Sequence, residues 1–205
     1  MKLSQAIKKR YSCRSYSPKK VSKKIILELL ELANQAPSAG NQQNRQFIVI
    51  TNKNNRKYLS QMNNQTQLKE APVVILATAK LSQQTTANYL KSLEKWGMTI
   101  NGKTPAKFKL TNAFKKEFIE MKFKWMVSDV AAAVENLMLV AVEKGLSTCW
   151  IGIMDFKGVT KRFKLPAGII PICLVTLGYK KEQPKYQSKR KNIKELVYWE
   201  TYDKK

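Results

Sequence analysis

The chain has 205 residues, enough for one sizeable core, and its 43% hydrophobic content is ordinary for a globular protein. It carries 38 Lys and Arg against 14 Asp and Glu, a formal charge of +24, and no histidine. The missing imidazole excludes Ser-His-Asp and Cys-His catalysis and most zinc chemistry. Three widely spaced cysteines, Cys13, Cys149 and Cys173, read as buried thiols of a reducing compartment rather than a disulfide frame or a metal site.

So basic a chain attracts polyanions, but its lysines and arginines are dispersed, with no basic arm or RNA-binding aromatic motif to make a dedicated nucleic-acid module. No run approaches the roughly 18 apolar residues of a membrane span, and the N-terminus lacks the apolar core of a signal peptide. The expectation is a cytoplasmic protein without a membrane or specific nucleic-acid partner.

In chain order, Leu3 to Lys9 predicts a short helix that delivers Arg10. The stretch Arg10-x-Ser12-x-Arg14 sets a hydroxyl between two guanidinium forks, a composition suited to cradling an anion. On charge alone, a solvated basic turn is the plainer reading. Ser22 suits the N-cap of a helix through Asn34, with Ile25, Ile26, Leu29, Leu30 and Ala33 on one stripe. Ala36 to Arg45 is then a small, amide-rich loop running into the strand Phe47 to Ile50. It suits either a plain connection or contact with a flat heterocycle.

Asn52 to Asn55 reads as a turn, Arg56 to Met62 as a short helix, and Pro72 to Ala77 as a buried strand. Between 80 and 120, Tyr89, Leu93 and Trp96 fall at helical spacing, Gly102 to Pro105 reads as a loop, and Phe114, Phe118 and Met121 suggest a second helix. Residues 80–125 form a variable helical insertion, equally a substrate opening or plain packing. From Ser128 a strongly apolar helix follows, apolar nearly all round, which places it in a core or a subunit interface. Gly145 stops it.

Leu146 to Asp155 is strand-like, with Gly152 where a backbone could approach a ligand. A short helix from Phe156 to Phe163, a buried strand from Pro171 to Tyr179, and a polar tail from Lys180 to Lys191 complete the chain before Ile193 to Glu200. Without a G-x-G-x-x-G or P-loop pattern, strands interleaved with helices predict an α+β fold. A central mixed or antiparallel sheet is flanked by helices in one domain, 1–205, whose residues 180–205 form a C-terminal arm.

Taken in order, six stretches resemble the nitroreductase family of FMN-dependent oxidoreductases. They are Arg10-x-Ser12-x-Arg14, Ala36-Pro37-Ser38-x-x-Asn41-x-Gln43, Ala71 to Ile75, the Asp129 to Ala141 helix, Gly145 to Gly152, and Leu177-Gly178-Tyr179 with a later Arg190. The resemblance runs from Ala6 to about Glu200, outside residues 80–120. It implies that Arg10, Ser12 and Arg14 hold the phosphate and pyrimidine edge of FMN. It further implies that Lys189 and Arg190 close on the phosphate, and that Ile151, Gly152 and Ile153 offer backbone donors to the flavin. Pro37, Ser38, Ala39 and Asn41 reach a flavin bound mainly by the other subunit of a homodimer, and Asn63 approaches the ring.

The implied activity takes hydride from NADH or NADPH and delivers it to an electron-poor acceptor such as a nitro compound or quinone, in a ping-pong cycle whose chemistry belongs to the flavin. No side-chain general base is required. Two alternatives stay open: a specialised flavin enzyme of the same fold, such as a reductive dehalogenase or flavin-cleaving enzyme, and a basic polyanion-binding protein. The sequence departs from the family pattern at Asn44 and Arg45, where the family usually has Pro and an aromatic residue. It departs again at Gly152, where some members carry an acid.

Overall fold

Four apolar runs pair into one antiparallel sheet in the order β1-β2-β4-β3, from β1 (Arg45–Ile50), β2 (Val73–Lys80), β3 (Ser147–Ile151) and β4 (Ile169–Gly178). The computed structural model describes residues 1–81, 86–99, 102, 111–184 and 188–202. Every residue of β2 from Val73 to Ala79 is buried, because helices cover both faces of this central strand. That double cover explains its unbroken apolar run. Pro171, which lacks a ladder N–H, sits in β4 where the register with β2 slips between Ala77 and Thr78.

The helices are α1 (Leu3–Lys9), α2 (Lys23–Ala33), α3 (Lys53–Met62), α4 (Gln67–Glu70), α5 (Thr86–Lys95), α6 (Asn112–Glu143) and α7 (Phe156–Arg162). The α+β class and the antiparallel sheet are as expected from the sequence. Ser22 caps α2 by accepting from the Ile25 N–H at 3.3 Å. Ile26, Leu29 and Ala33 are its buried stripe.

Three boundaries differ. Residues 52–55 are not a free turn: Asn52 is the N-cap of α3, its side-chain oxygen accepting from the N–H groups of Asn54 (2.9 Å) and Asn55 (3.1 Å). The two helices expected around 114–121 and from 128 onward are one helix of 32 residues, α6. Ser128 caps nothing; its hydroxyl donates to the Lys124 carbonyl one turn back at 2.9 Å, so the helix passes through it. The strand expected over 146–155 stops at Ile151, and Asp155 instead caps α7 by accepting from the Gly158 N–H at 3.0 Å. The expected loop at 102–105 lies outside the described residues except for Gly102, as do residues 185–187 of the polar tail.

By length and apolar content, residues 115–143 of α6 would pass for a membrane-spanning helix. Its packing says otherwise. Met126, Val130, Ala133, Val134, Leu137, Met138 and Ala141 are buried against α2 and the sheet. Lys144 just beyond it pairs with Glu28 of α2. The opposite face, with Ala131, Ala132, Leu139, Val140 and Val142, is only half-buried within the protomer.

Candidate functional site

The R-x-S-x-R stretch is extended backbone laid along the edge of the sheet. Ser12 forms a parallel bridge with Thr148 of β3, and the Cys13 N–H donates to the Thr148 carbonyl at 2.9 Å. Three residues on, the chain crosses to the end of β4: Ser17 N–H donates to Tyr179 O (2.8 Å) and Lys181 N–H to Ser15 O (3.1 Å). Alternation then turns Cys13 inward, buried, while Arg14 is exposed and Ser12 half-buried.

Tyr16 locks this arrangement. Its hydroxyl lies 2.7 Å from Thr176 Oγ1 and donates to the Cys13 carbonyl at 3.0 Å. The ring fits only because residue 178 is glycine: a Cβ there would stand 2.5 Å from Pro72 Cδ and 3.0 Å from Tyr16 Cδ1. The Leu177-Gly178-Tyr179 stretch is therefore a packing device beneath the cradle, not a contact surface.

Around this stretch lies a cleft of about 640 Å³. Arg10, Ser12 and Arg14 line it from the N-terminal side, and Arg190 with Ser188 from the C-terminal arm. Three guanidiniums from opposite ends of the chain thus share one space with a hydroxyl between two of them, the donor set a phosphate ester takes. Glu182 contributes the one carboxylate among the described lining residues. Lys189 is exposed and does not line the cleft.

Tyr11, also on the cleft wall, went unnoticed in the sequence because it reads as a spacer between Arg10 and Ser12. Its hydroxyl is buried and, among the described residues, makes no hydrogen bond of good geometry; burial above all raises its pKa above the ordinary 10.0. The phenol is therefore neutral, its oxygen shut off from solvent. Burial likewise raises the Cys149 thiol, with Arg14 nearby opposing the shift, and pushes Cys173 up to about 12. Cys13 donates to Ser15 O at 3.2 Å, so all three thiols are packed.

The other candidate residues lie elsewhere on the protomer. Pro37, Ser38, Ala39 and Asn41 occupy a loop whose Gly40, Asn41 and Gln43 have left-handed φ of 55°, 53° and 50°. Gly40 answers two demands, since a Cβ would also meet Trp96 at 3.1 Å. Ser38 Oγ accepts from Gln43 N–H at 3.0 Å, and Ala39 N–H donates to Asp129 Oδ1 of α6 at 3.0 Å. Asp129 is buried, and its second oxygen has no partner among the described residues.

Ile151, the last residue of β3, is buried, whereas Gly152 and Ile153 beyond it are exposed, Ile153 at 84%. Nothing in the protomer demands glycine at 152, where an added Cβ would meet only Trp150 Nε1 at an ordinary 3.8 Å. Asn63 steadies this turn: its Oδ1 accepts from Asp155 N–H (2.9 Å) and its Nδ2 donates to Leu59 O (2.7 Å), leaving one amide hydrogen. A second cleft of about 380 Å³ lies between the Ala39–Gly40 turn, α5 and α6, walled by Tyr89, Trp96 and Trp125. Among the described residues, no group of three or more Cys, Asp or Glu is placed to hold a metal ion.

The comparisons with known proteins agree with this architecture. Over 197 residues the chain is 28% identical to YodC of Bacillus subtilis, which bears a provisional name as an NAD(P)H nitroreductase; the match covers 94% of this chain and 96% of YodC. It is similar to a Thermus thermophilus NADH dehydrogenase, 27% identical over 192 residues and covering 93% and 92% of the two chains. A solved structure from Exiguobacterium sibiricum in complex with FMN superposes with a TM-score of 0.76 at 23% identity, over 98% of each chain, a likeness of fold. The family model described as "Nitroreductase family" matches residues 7–179, from within α1 to the residue after β4, and by that match the chain belongs to the Nitroreductase family.

Proposed function

We propose that this chain, an FMN-dependent NAD(P)H oxidoreductase of its family, takes hydride from NADH or NADPH and delivers it to an electron-poor small molecule, a nitro compound, quinone or similar acceptor. FMN, when bound, supplies the centre that takes up and releases the hydride. The observation that carries the reading is the convergence of Arg10, Arg14 and Arg190 on one cleft with Ser12.

In this reading Arg10, Ser12 and Arg190 grip the phosphate, with Lys189 adding charge from the rim. Arg14 would hold the pyrimidine edge, its fixed cation offsetting negative charge there. Tyr11 forms part of the wall. Ile151, Gly152 and Ile153 offer backbone N–H groups, and Asn63 holds their turn while keeping one amide hydrogen for the ring.

Pro37, Ser38, Ala39 and Asn41 do not line the cleft of their own protomer, which supports a homodimer in which this loop serves the partner's site. Two exposed apolar features support the same assembly: the half-buried face of α6, and the arm bearing Ile193, Leu196, Trp199 and Tyr202, with Trp199 84% exposed. We place the protein in the cytoplasm and treat the chain as one domain, with 80–125 as the variable insertion and 180–205 as the arm.

One site serving both reductant and acceptor gives ping-pong kinetics. The test is to purify the protein after incubation with FMN, record its visible spectrum, and add NADH or NADPH without oxygen. A bound flavin bleached by reduced nicotinamide and restored by a quinone, with parallel double-reciprocal plots, is the expected result. Protein that retains no flavin and shows no FMN binding would refute the proposal.

A further inference from the structure

Arg45 is the most deeply buried cation among the described residues, 7% exposed at the first position of β1. A guanidinium is rarely placed there unless its donors are satisfied. All three of its nitrogens are engaged with neutral oxygens of one short segment. Nε donates to Asn34 Oδ1 (3.2 Å), Nη1 to Pro37 O (3.2 Å), and Nη2 to Asn34 O (2.8 Å) and Ala36 O (2.6 Å).

Asn34 is the C-cap of α2, so Arg45 takes up the C-cap carbonyl together with those of Ala36 and Pro37 just beyond it, and places a cation at the negative pole of the helix. The same fork fixes the carbonyl of Pro37, the first residue of the left-handed loop. Two residues later the loop is held from its other side, where buried Asp129 accepts the Ala39 N–H. The loop is therefore clamped between a buried cation reading its carbonyls and a buried carboxylate reading an N–H.

We infer that Arg45 is a positioning residue, whose guanidinium sets the conformation in which Pro37 to Asn41 meet the flavin of the partner subunit. An aromatic side chain would fill the volume yet bring at most one donor where three backbone carbonyls accept. The inference rests on the proposed flavin role of this loop.

The test uses Arg45→Ala in the full chain, with Arg45→Met as the variant that keeps most of the stem volume. Amide exchange across residues 35–43 should speed up in the variant. The Kd for FMN, read by quenching of flavin fluorescence, should rise about tenfold or more, the scale expected of a misplaced binding element. Millimolar guanidinium should restore both, while equal sodium chloride should not.

Wild-type exchange and affinity in a folded variant overturn the inference alone. So does a loss that salt restores as well as guanidinium. If neither variant folds, Arg45 serves stability only and the inference is likewise overturned. A wild type that binds no FMN overturns both this inference and the proposed function.

Discussion

Replacing Tyr16 by Phe removes one oxygen atom from the join between the cradle and the sheet. The phenol is buried and makes two hydrogen bonds, to Thr176 Oγ1 at 2.7 Å and to Cys13 O at 3.0 Å. Thr176 keeps a long bond to Cys149 O at 3.4 Å, but the tie to the Cys13 carbonyl is lost. Net hydrogen-bond worth and the unsatisfied group left behind sum to about 2 kcal/mol. In a chain of this size that lowers Tm by roughly 4–8 °C near neutral pH.

The pH dependence sharpens the test. Burial raises the Tyr16 phenol far above its ordinary value of 10.0. The folded protein thus keeps a proton that the unfolded chain releases, so this part of the stability is complete below about pH 10 and lost as pH rises above it. The loss approaches about 1.4 kcal/mol per pH unit, and Phe, which has no proton to release, escapes it. Urea unfolding followed by tryptophan fluorescence at pH 7 and at pH 11 should find the variant clearly weaker at the first and nearly level with wild type at the second. An equal gap at both pH values, or none at pH 7, would refute the assigned role.

Other outcomes follow from the same coordinates. Gly178→Ala forces a methyl against Pro72 and Tyr16 and should lower unfolding free energy by about 1–3 kcal/mol in urea. Asn52→Ala removes the cap of α3 and should cost about 1 kcal/mol in the same measurement, with the flavin site unaffected. Arg190→Gln should weaken FMN binding roughly tenfold to a hundredfold by fluorescence titration while leaving Tm nearly unchanged, since among the described residues Arg190 bonds only to the neighbouring carbonyls of Ser188 and Lys189. The three thiols should resist an aromatic disulfide reagent at pH 8 in native protein and react at once in urea, because each is buried.

Local signals carried most of the fold. The β2 run, the stripe of α2 and the Ser22 cap are each written within a dozen residues, and each appears where periodicity and capping chemistry put it. The misplaced boundaries all turned on side-chain hydrogen bonds that composition leaves ambiguous. Asn52 can make a turn or a cap, Ser128 can cap a helix or bond back within one, and Asp155 can end a strand or begin a helix.

At the site, the three arginines of the cleft were legible as charge in the sequence, and their convergence only through the family resemblance, because Arg190 follows Arg14 by most of the chain. Tyr11 and Asp129 carried no sequence signal beyond their places inside longer motifs. Arg45 did: it stood out as a departure from the family pattern, and the structure turns that departure into a set of contacts with α2 and the loop.

The length of α6 bears on what the cleft between it and α5 can accommodate. Thirty-two residues make a rod of about 48 Å whose far half is locked into the core and whose near half presents Phe118 and Trp125 to Tyr89 of α5, at ring separations of 4.6 and 5.4 Å. A bulky guest entering beside these rings cannot tilt that rod without prying open the protein interior. The yielding wall of this cleft is α5, so the size of any guest it takes is set by how easily one ten-residue helix peels away from its aromatic neighbours.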